Sequence, residues 1–485
     1  MESEKGPALF VKIVFDRKLN KKEQNPMNKI IQEILNDVVK KSGNSFTKFV
    51  EGSSNLDELI FEEKTIFKQS AKKVVQSELE LVDKMLIKQS QRKGWQIHDV
   101  RERHINTELG EIVYRRHYYN HTKLGYSYML DRFLSLNPYQ RLTIQTQADV
   151  ISRASKVSYQ ETINTLPELE LYSKSTVMRV IRRYNHFDLV EEDQAPRDPR
   201  SVKSLFIEAD EGHLKMQPKG TRFSHLIVVH EGWYQKDKSH KALINKHVFG
   251  GDYTHDVNHL WNQVLDYLDL HYDLDMVKNI YVSGDGAAWI KQGADTIPHS
   301  QFILDNFHAM QALHNISLIT KVPVGKLTEW VNENKRRLFF DLIKERLDEK
   351  INTNTELTRL EQLSKYIRNN WSFISLKHTD DFKGTNMEGQ VSHIIADRMT
   401  SRPMCWSIIG GDQMGHWRSL IANGISVLAE LNRQNSYVVQ TEQIAKIDGR
   451  VRKHSGYYDH IGAISGGIVD HHVNFKQEII KYRKD

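Results

Sequence analysis

The sequence of 485 residues contains a single cysteine, Cys405. One thiol cannot form an intramolecular disulfide or a zinc site of several cysteine thiolates, which indicates a reducing compartment. Long hydrophobic runs are also missing. The apolar run at residues 8–15 is well short of the roughly 20 residues that cross a bilayer, and it follows acidic residues, unlike a signal peptide. These absences predict a cytoplasmic protein with no membrane partner.

A strong excess of one charge is absent as well. The chain has 68 basic and 62 acidic residues and a net charge of +6, and 39% of its residues are hydrophobic. This composition is typical of a soluble globular protein, and the length suffices for two or three domains. The modest positive charge is compatible with a nucleic-acid partner but does not by itself indicate one.

The first part of the chain has a helical and then a hairpin pattern. Residues 1–26 are predicted to be an N-terminal extension, and residues 27–137 a region of helices and β-hairpin. Apolar spacing predicts one helix from Met27 and another over about 64–90. Two strands follow around a turn at 108–111, and their aromatic and basic side chains alternate.

Residues 138–190 have the pattern of three short helices, the last of them basic. Breaks at 156–158 and at Pro167 separate the helices. This order matches a helix-turn-helix module, but a helical connector with a solvated basic face fits the spacing equally well. Residues 191–201, rich in charge and with two prolines, are predicted to be a linker.

Basic and aromatic side chains of the hairpin and of the third short helix are the candidate DNA contacts, because cations bind phosphates. The candidates are Arg115, Arg116, Tyr118, Lys174, Arg179, Arg182 and Arg183.

Beyond the linker, the order of elements predicts an α/β domain. Three strands in a meander are followed by a helix, a strand, a short helix and a strand, which is the order of an RNase H-like core. In this order the first and fourth strands are neighbours at the sheet centre. The predicted elements are strands at 203–216, 222–235 and 241–250, a helix at 255–273, a strand at 277–285, a helix at 287–294 and a strand at 300–305.

Carboxylates gather at the end of the first of these strands. Glu208, Asp210 and Glu211 follow one another with no Lys or Arg among them. A bound cation would relieve their repulsion. The fourth strand ends in a similar way at Asp285, and each carboxylate is followed closely by glycine, which we expect to leave room for a substrate backbone. Asp210 and Asp285 are therefore predicted to share one site.

A third carboxylate is expected from a later helix, and Glu388 stands near the start of one. Glu361 and Asp397 are alternatives for this role. The predicted core therefore spans 202–306 and 381–426, and an all-helical insertion at 307–380 and a C-terminal region at 427–485 complete the chain.

Four motifs carry a resemblance to a known family: "EADEGH", "SGDGAAWI", "FILDNFHAMQAL" and "TNMEGQVSHIIADRM". From about Met27 onward the chain resembles the insertion-sequence transposases of the ISLre type, which are related to the bacterial Mutator-like DDE transposases. The resemblance implies an RNase H-like catalytic domain with Asp210, Asp285 and Glu388 as catalytic and metal-binding triad.

The resemblance also implies a cofactor and candidate auxiliary residues. Two divalent ions are expected, Mg²⁺ with Mn²⁺ as a substitute. Asp305 and His308 align with the family's acid-or-cysteine-x-x-histidine motif, although this chain has Asp where Cys also occurs. Trp371, which could stack on an unpaired base or belong to the core, and Arg398 are the other auxiliary candidates.

The implied function is binding of double-stranded DNA, both element ends and target, followed by strand cleavage and strand transfer. A homo-oligomer, at least a dimer, on DNA and a nucleoid-associated location are expected with it. Two alternatives remain at this point. An RNase H-like nuclease or resolvase would have the same carboxylates, and a domesticated DNA-binding protein would have no activity.

Overall fold

A computed structural model describes most of the chain. The predicted extension 1–26, linker 191–201 and C-terminal region 427–485 lie largely outside the described residues. The chain divides into two compact units, Met1–Glu430 and Leu431–Asp485. The described residues are 26–171, 173–184, 198–237, 241–349, 353–375, 382 and 384–435.

The N-terminal region begins with two long helices that pack together, α1 (Pro26–Val50) and α2 (Leu56–Arg92). Helix α2 starts eight residues before the predicted 64. A capping box explains this start, because the Asn55 side chain accepts from the Glu58 backbone N–H and the Glu58 side chain accepts from the Asn55 N–H, each at 2.9 Å.

A three-stranded antiparallel sheet follows: β1 (Gln96–Thr107), β2 (Gly110–His121) and β3 (Gly125–Tyr128). The predicted hairpin is confirmed, and β3 is an addition that the alternation did not predict. Gly110 has φ of 92° at the turn, a backbone conformation that favours glycine.

The predicted three short helices are confirmed as α4 (Ile144–Ala154), α5 (Tyr159–Thr165) and α6 (Lys174–Arg182), after a brief α3 (Met129–Phe133). Each of the three starts after a hydroxyl side chain that accepts a backbone N–H of the first turn. These capping residues are Thr143, Ser158 and Ser173.

The central sheet has five strands in the order β10-β9-β4-β5-β8. β4 runs antiparallel to β5 and parallel to β9, so the predicted neighbourhood of the first and fourth strands is confirmed. The predicted strands 222–235 and 241–250 are each wrong as one element, because residues 233–235 and 241–243 pair with each other outside this sheet. The strands are β4 (Ser204–Lys215), β5 (Thr221–His230), β6 (Trp233–Gln235), β7 (Lys241–Leu243), β8 (His247–Gly251), β9 (Asn279–Gly284) and β10 (Ser300–Leu304), of which β6 and β7 form a separate pair.

One face of the sheet is covered by a large helical layer, which includes the helices predicted for the insertion. Leu205, Ile207 and Ala209 of β4 are buried in the core cluster formed with these helices. The helices are α7 (Val257–His271), α8 (Ala288–Thr296), α9 (Asn306–Thr320), α10 (Val324–Asn332), α11 (Arg336–Glu349) and α12 (Asn354–Ser375).

On the opposite side of β4, α13 (Met387–Gln390) continues through a π-helical segment, Val391–Ala396, into α14 (Asp397–Met399). Helix α15 (Ile408–Ala422) follows and packs against β5 and β8. In the described part of the chain, we find no helix with the length and apolar character needed to span a bilayer.

Candidate functional site

The first carboxylate of the site is Asp210, which lies half-buried on β4 opposite Leu226 of β5. The backbone N–H of Glu211 donates to its Oδ1 at 2.8 Å. Because side chains alternate along a strand, Asp210 points away from the face on which Leu205, Ile207 and Ala209 are buried. This strand therefore carries its apolar residues to the core and Asp210 to the other side.

The second carboxylate, Asp285, directly follows β9, the parallel neighbour of β4. Its Oδ1 accepts the backbone N–H of Ala287 at 2.8 Å, which closes a tight turn into α8. The hydroxyl of Tyr366 on α12 donates to the Asp285 backbone carbonyl at 2.7 Å. The helical layer therefore anchors the strand end that presents Asp285.

Glu388 is exposed in the first turn of α13, a helix that contacts β4. Burial is the main cause that raises the pKa of Asp210 to about 6, and the negative charges of Asp285 and Glu388 add to it. The hydrogen bond from Glu211 and the charge of His308 oppose this rise. The structure thus brings all three predicted carboxylates within electrostatic reach of one another.

Asp305 and His308 belong to the same site. Asp305 caps α9, and its Oδ2 lies 2.9 Å from His308 Nδ1. Burial favours a higher pKa for Asp305, but hydrogen bonds from His308 and Thr385 outweigh it and leave the pKa lowered. The pKa of His308 is raised, first by the Asp305 hydrogen bond and then by Asp210 and Asp285 against the effect of burial. This pair therefore favours an imidazolium facing the two aspartates.

Asp210, Asp285, Asp305 and His308 line one narrow cleft, whereas Glu388 is not among its lining residues. The walls come from the middle of β4, where Asp210 lies instead of at the predicted strand end, from the ends of β9 and β10, from the start of α9, and from Thr385 and Met387 at the start of α13. The lining residues are Ala209, Asp210, Ser283, Gly284, Asp285, Asp305, His308, Thr385 and Met387.

Two further carboxylates, Glu208 and Glu211, lie near the site, although they were not predicted to be part of the triad. Glu208 is 1% exposed, and its Oε2 accepts the Asn386 backbone N–H at 2.9 Å. Burial first, and then the Asp285 carboxylate, raise the pKa of Glu211. The sequence does contain a signal for Glu208, since residues two apart on a strand share a face and Glu208 therefore lies on the face of Asp210.

The donor chemistry of the site fits a hard divalent cation. Asp210, Asp285 and Glu388 supply carboxylate oxygens, the ligands that Mg²⁺ prefers. Burial first, and then the charges of Asp285 and Glu388, raise the pKa of Asp210, and a bound cation would favour its ionised form. Among the residues that the structure describes, no three Asp, Glu, His or Cys side chains already form a compact metal-binding group.

The hairpin residues predicted to contact DNA differ in their exposure to solvent. Arg115 is exposed, whereas Arg116 is 5% exposed and forms an ion pair with Asp131. The Arg116 guanidinium also lies 3.5 Å from the centre of the Tyr128 ring. Tyr118 is half-buried and stacks on neighbouring tyrosines. Arg116 is thus an interior ion-pair residue in this structure and not a surface cation, which corrects its prediction as a DNA contact.

The basic residues of the third short helix also divide into two groups. Lys174, Arg179 and Arg183 are exposed. Arg182 is half-buried and donates to the Ser407 hydroxyl at 2.5 Å, and its carbonyl accepts from Gln413 at 3.1 Å. Arg182 therefore connects α6 to α15, and the exposed three remain as candidate phosphate contacts.

Two auxiliary candidates have structural partners away from the cleft. Trp371 is buried, packs on Phe339 and donates to Asn334 Oδ1 at 2.6 Å, so this structure places it in the core and not on a base-stacking surface. Arg398 is buried, and its Nε donates to the Ala154 carbonyl at 2.7 Å. Burial lowers the pKa of Arg398 to about 10. Arg398 therefore links α14 to the short-helix module.

The glycines beside the two aspartates have packing roles, which corrects the expectation that they leave room for substrate. A Cβ on Gly212 would lie 2.5 Å from Ile395 Cγ2 in the π-helical segment. A Cβ on Gly286 would lie 2.7 Å from Asn370 Oδ1 of α12. Both glycines allow helices to approach the ends of β4 and β9.

Comparison with known proteins shows similarity over most of the chain. A family model described as uncharacterised protein family UPF0236 matches residues 50–434. The chain is similar to a UPF0236 protein of Caldanaerobacter subterraneus subsp. tengcongensis whose name joins eleven locus labels, with 28% identity over 404 residues, 81% of this chain and 84% of the relative. Another UPF0236 protein of that organism is 27% identical over 429 residues, 87% of this chain and 82% of the relative.

A relative from a second organism is similar over a comparable share of the chain. The Streptococcus gallolyticus protein, named as a UPF0236 protein in the vanSb 3′ region, is 24% identical over 424 residues, which cover 85% of this chain and 92% of the relative.

Proposed function

The chain belongs to the UPF0236 family, and from this premise and the carboxylate site we propose that it is a DDE transposase of a bacterial insertion sequence, of the ISLre type. It binds double-stranded DNA at the element ends and catalyses metal-dependent strand cleavage and strand transfer. The observation that carries the proposal is that Asp210 and Asp285 line one cleft, while the charge of Glu388 on α13 is near enough to add to the rise in the pKa of Asp210.

The fold supports the same proposal. We propose that the central domain is RNase H-like, and the strand order β10-β9-β4-β5-β8 with its parallel and antiparallel pairs supports this assignment. In such a sheet the two central strands, here β4 and β9, bring their carboxylates to one edge of the domain. A helix after a long insertion, here α13, would supply the third carboxylate.

The names of two relatives add support of a different kind. One name joins eleven locus labels and another joins four, all from one organism. A sequence repeated at many loci is what a mobile element produces. Repetition of this kind favours a transposase over a single-copy nuclease or a domesticated DNA-binding protein.

The residues of the chain have distinct parts in the proposed reaction. Asp210, Asp285 and Glu388 would hold the divalent ions, Mg²⁺ with Mn²⁺ as a substitute, which when bound activate the attacking oxygen and stabilise the leaving oxygen of a phosphodiester. The Asp305 carboxylate orients His308, whose raised pKa favours a positive charge beside Asp210 and Asp285. This charge offsets part of the carboxylate repulsion against an incoming phosphate.

The test is cleavage and joining of DNA that flanks the gene. Purified protein is incubated with a labelled duplex of the flanking sequence and a target plasmid in Mg²⁺. We expect nicking and joined products, and a loss of roughly 100-fold or more with Asp210→Asn, Asp285→Asn or Glu388→Gln. Duplex binding is expected to persist, because the amides retain the shape of the side chains.

Asp397→Asn is the matched control, because Asp397 is exposed on α14, beyond the helical turn of Glu388. Its activity is expected to equal that of the unmodified chain. Nicking without joined products would identify a nuclease or resolvase. Full activity of the folded Asp285→Asn protein would overturn the catalytic site.

A further inference from the structure

The segment that leads into α13 is held by two buried carboxylates outside the triad. Asn386 donates its backbone N–H to Glu208 Oε2 at 2.9 Å. The neighbouring Thr385 donates its hydroxyl to Asp305 Oδ1. Glu208 is on β4, and Asp305 directly follows β10. Glu208 and Asp305 therefore each accept a hydrogen bond from one of two adjacent residues that shortly precede Glu388.

Glu208 is itself rigidly held. His230 Nδ1 lies 3.1 Å from the Gly232 backbone nitrogen and 3.3 Å from the Gly232 carbonyl oxygen, which holds the ring in place. On the other side of the ring, His230 Nε2 lies 3.2 Å from Glu208 Oε1 and donates to that oxygen when Nε2 is protonated. Both side chains are almost completely buried, at 1% exposure for Glu208 and 0% for His230. Glu208 thus accepts two hydrogen bonds, one with each oxygen, in a fixed orientation.

Asp305 is also tied to the site. Its backbone N–H donates to the Gly284 carbonyl at 2.8 Å, directly before Asp285. Its side chain caps α9 and contacts His308. The Thr385 hydroxyl is therefore bound to a residue whose position is set by the strand end that presents Asp285.

Helix α13 needs hydrogen bonds to the segment that precedes it, because it lacks a side-chain N-cap. Its N-cap residue, Asn386, makes no side-chain capping hydrogen bond. The helix has four residues and runs directly into the π-helical segment. A short helix without an N-cap frays readily in its first turn, and Glu388 stands in that turn.

We propose that Glu208 and Asp305 are positioning residues that clamp Thr385 and Asn386 and so fix Glu388 relative to Asp210 and Asp285. The clamp takes the place of a side-chain N-cap. It connects the segment before Glu388 to β4, which carries Asp210, and to Asp305, whose backbone N–H is bonded to Gly284 next to Asp285. The catalytic consequence of the clamp rests on the proposed function, whereas the clamp itself is a property of the fold.

Four variants of the full chain test the clamp. Glu208→Gln removes the negative charge and replaces one acceptor oxygen with an amide N–H₂, which weakens the charge-assisted hydrogen bonding to the Asn386 backbone N–H. Thr385→Val keeps the shape and removes the hydroxyl, whereas Thr385→Ser keeps the hydroxyl. Glu231→Gln is the matched control, because Glu231 is a largely buried carboxylate that pairs with Arg200.

The first measurement is hydrogen exchange by mass spectrometry over residues 384–390, which requires no activity. Loss or weakening of one clamp hydrogen bond is expected to speed exchange in this segment by roughly 10-fold in Glu208→Gln and Thr385→Val. Thr385→Ser and Glu231→Gln are expected to match the unmodified chain there. Unchanged exchange in both clamp variants would overturn the clamp.

The second measurement is DNA nicking in Mg²⁺, with kcat and KM determined separately on the folded protein. Misplacement of Glu388 is expected to lower kcat by about 10-fold or more in the two clamp variants, to leave KM for DNA unchanged, and to be reversed in Thr385→Ser. Faster exchange with unchanged kcat would overturn the positioning role. Absence of nicking by the unmodified chain would refute the proposed function, and the exchange measurement would still decide on the clamp.

Discussion

Arg418 on α15 donates from Nε to the backbone carbonyl of Ile394 at 2.7 Å. Its other nitrogens donate to the carbonyls of His393 and, at 2.8 Å, of Ser155. His393 and Ile394 lie in the π-helical segment that continues the Glu388 helix, where the regular α-helical pairing is interrupted. One side chain therefore joins three elements: the Glu388 helix, α15 and the end of the module helix α4.

Arg418→Met keeps the aliphatic stem and removes every donor. It is expected to destabilise the fold by about 2 to 4 kcal/mol, because the carbonyls of the buried residues Ile394 and Ser155 then lose their partners. The measurement is the urea midpoint at constant pH. Arg402→Met, at an exposed position after α14, is the control and should shift the midpoint little. Equal midpoints for the two variants would contradict the role of Arg418.

Gly212→Ala is expected to destabilise the fold by about 1 to 3 kcal/mol, because its Cβ would clash with Ile395 Cγ2. Ile395→Leu removes this branched methyl at constant volume. The double variant should therefore recover about 1 kcal/mol relative to the sum of the single changes. A double-mutant cycle of thermal unfolding measures this coupling, and strict additivity would show that the contact is unimportant.

Arg115 and Arg116 are adjacent and should behave in opposite ways. Arg116→Ala leaves buried Asp131 without its partner and is expected to cost about 3 to 5 kcal/mol of stability. Arg115→Ala should change the free energy of unfolding by less than about 0.5 kcal/mol. It should weaken DNA binding, and the salt dependence of that binding should fall by about one released counterion. Urea unfolding and binding at several salt concentrations separate the two effects. Equal stability of the variants would refute the burial argument.

The stability of the metal-free protein should depend on pH through Asp210. Its pKa is about 6 in the fold against an ordinary value of 3.8, so its contribution to stability is complete below the lower value and is lost as pH rises through about 6. We expect a loss on the order of 2 kcal/mol, reduced by the solvent that reaches this half-buried group.

Asp210→Asn lacks this titration and should be more stable than the unmodified chain at pH 7.5 without metal, but not at pH 4. Adding Mg²⁺ should narrow the difference at pH 7.5, because a bound cation stabilises the ionised site. Urea unfolding at the two pH values, with and without Mg²⁺, is the measurement. Equal destabilisation of the variant at both pH values would mean that the Asp210 carboxylate has a structural role.

Several features could be predicted from local patterns. The run of strand-forming residues within 203–216 predicted β4, and the turn at 108–111 predicted the hairpin. The adjacency of β4 and β9 followed from the order of elements, and with it the meeting of Asp210 and Asp285. The prediction failed at 241–250, because strand propensity does not reveal that Lys241–Leu243 pairs with Trp233–Gln235 and leaves the main sheet.

The same limit applies to the site. A basic residue on a strand reads as a surface cation, yet Arg116 is buried because Asp131 and Tyr128 lie against it. A glycine beside a carboxylate reads as space for substrate, yet Gly212 is in contact with Ile395. Each of these outcomes depends on a partner that is distant in the sequence or on another element.

By itself, the sequence determined the hairpin, the short helices, the strands β4, β9 and β10 and the acidic character of the residues on β4 and after β9, because hydrogen-bonding periodicity and residue chemistry are local properties. Only the tertiary structure decided which carboxylates face the cleft and which are buried supports. Glu208 and Asp210 are acidic residues two positions apart on one strand, but they differ in role. Glu208 accepts the Asn386 backbone N–H, whereas Asp210 lines the narrow cleft. That difference arises from packing between α13 and the sheet, which no local pattern encodes.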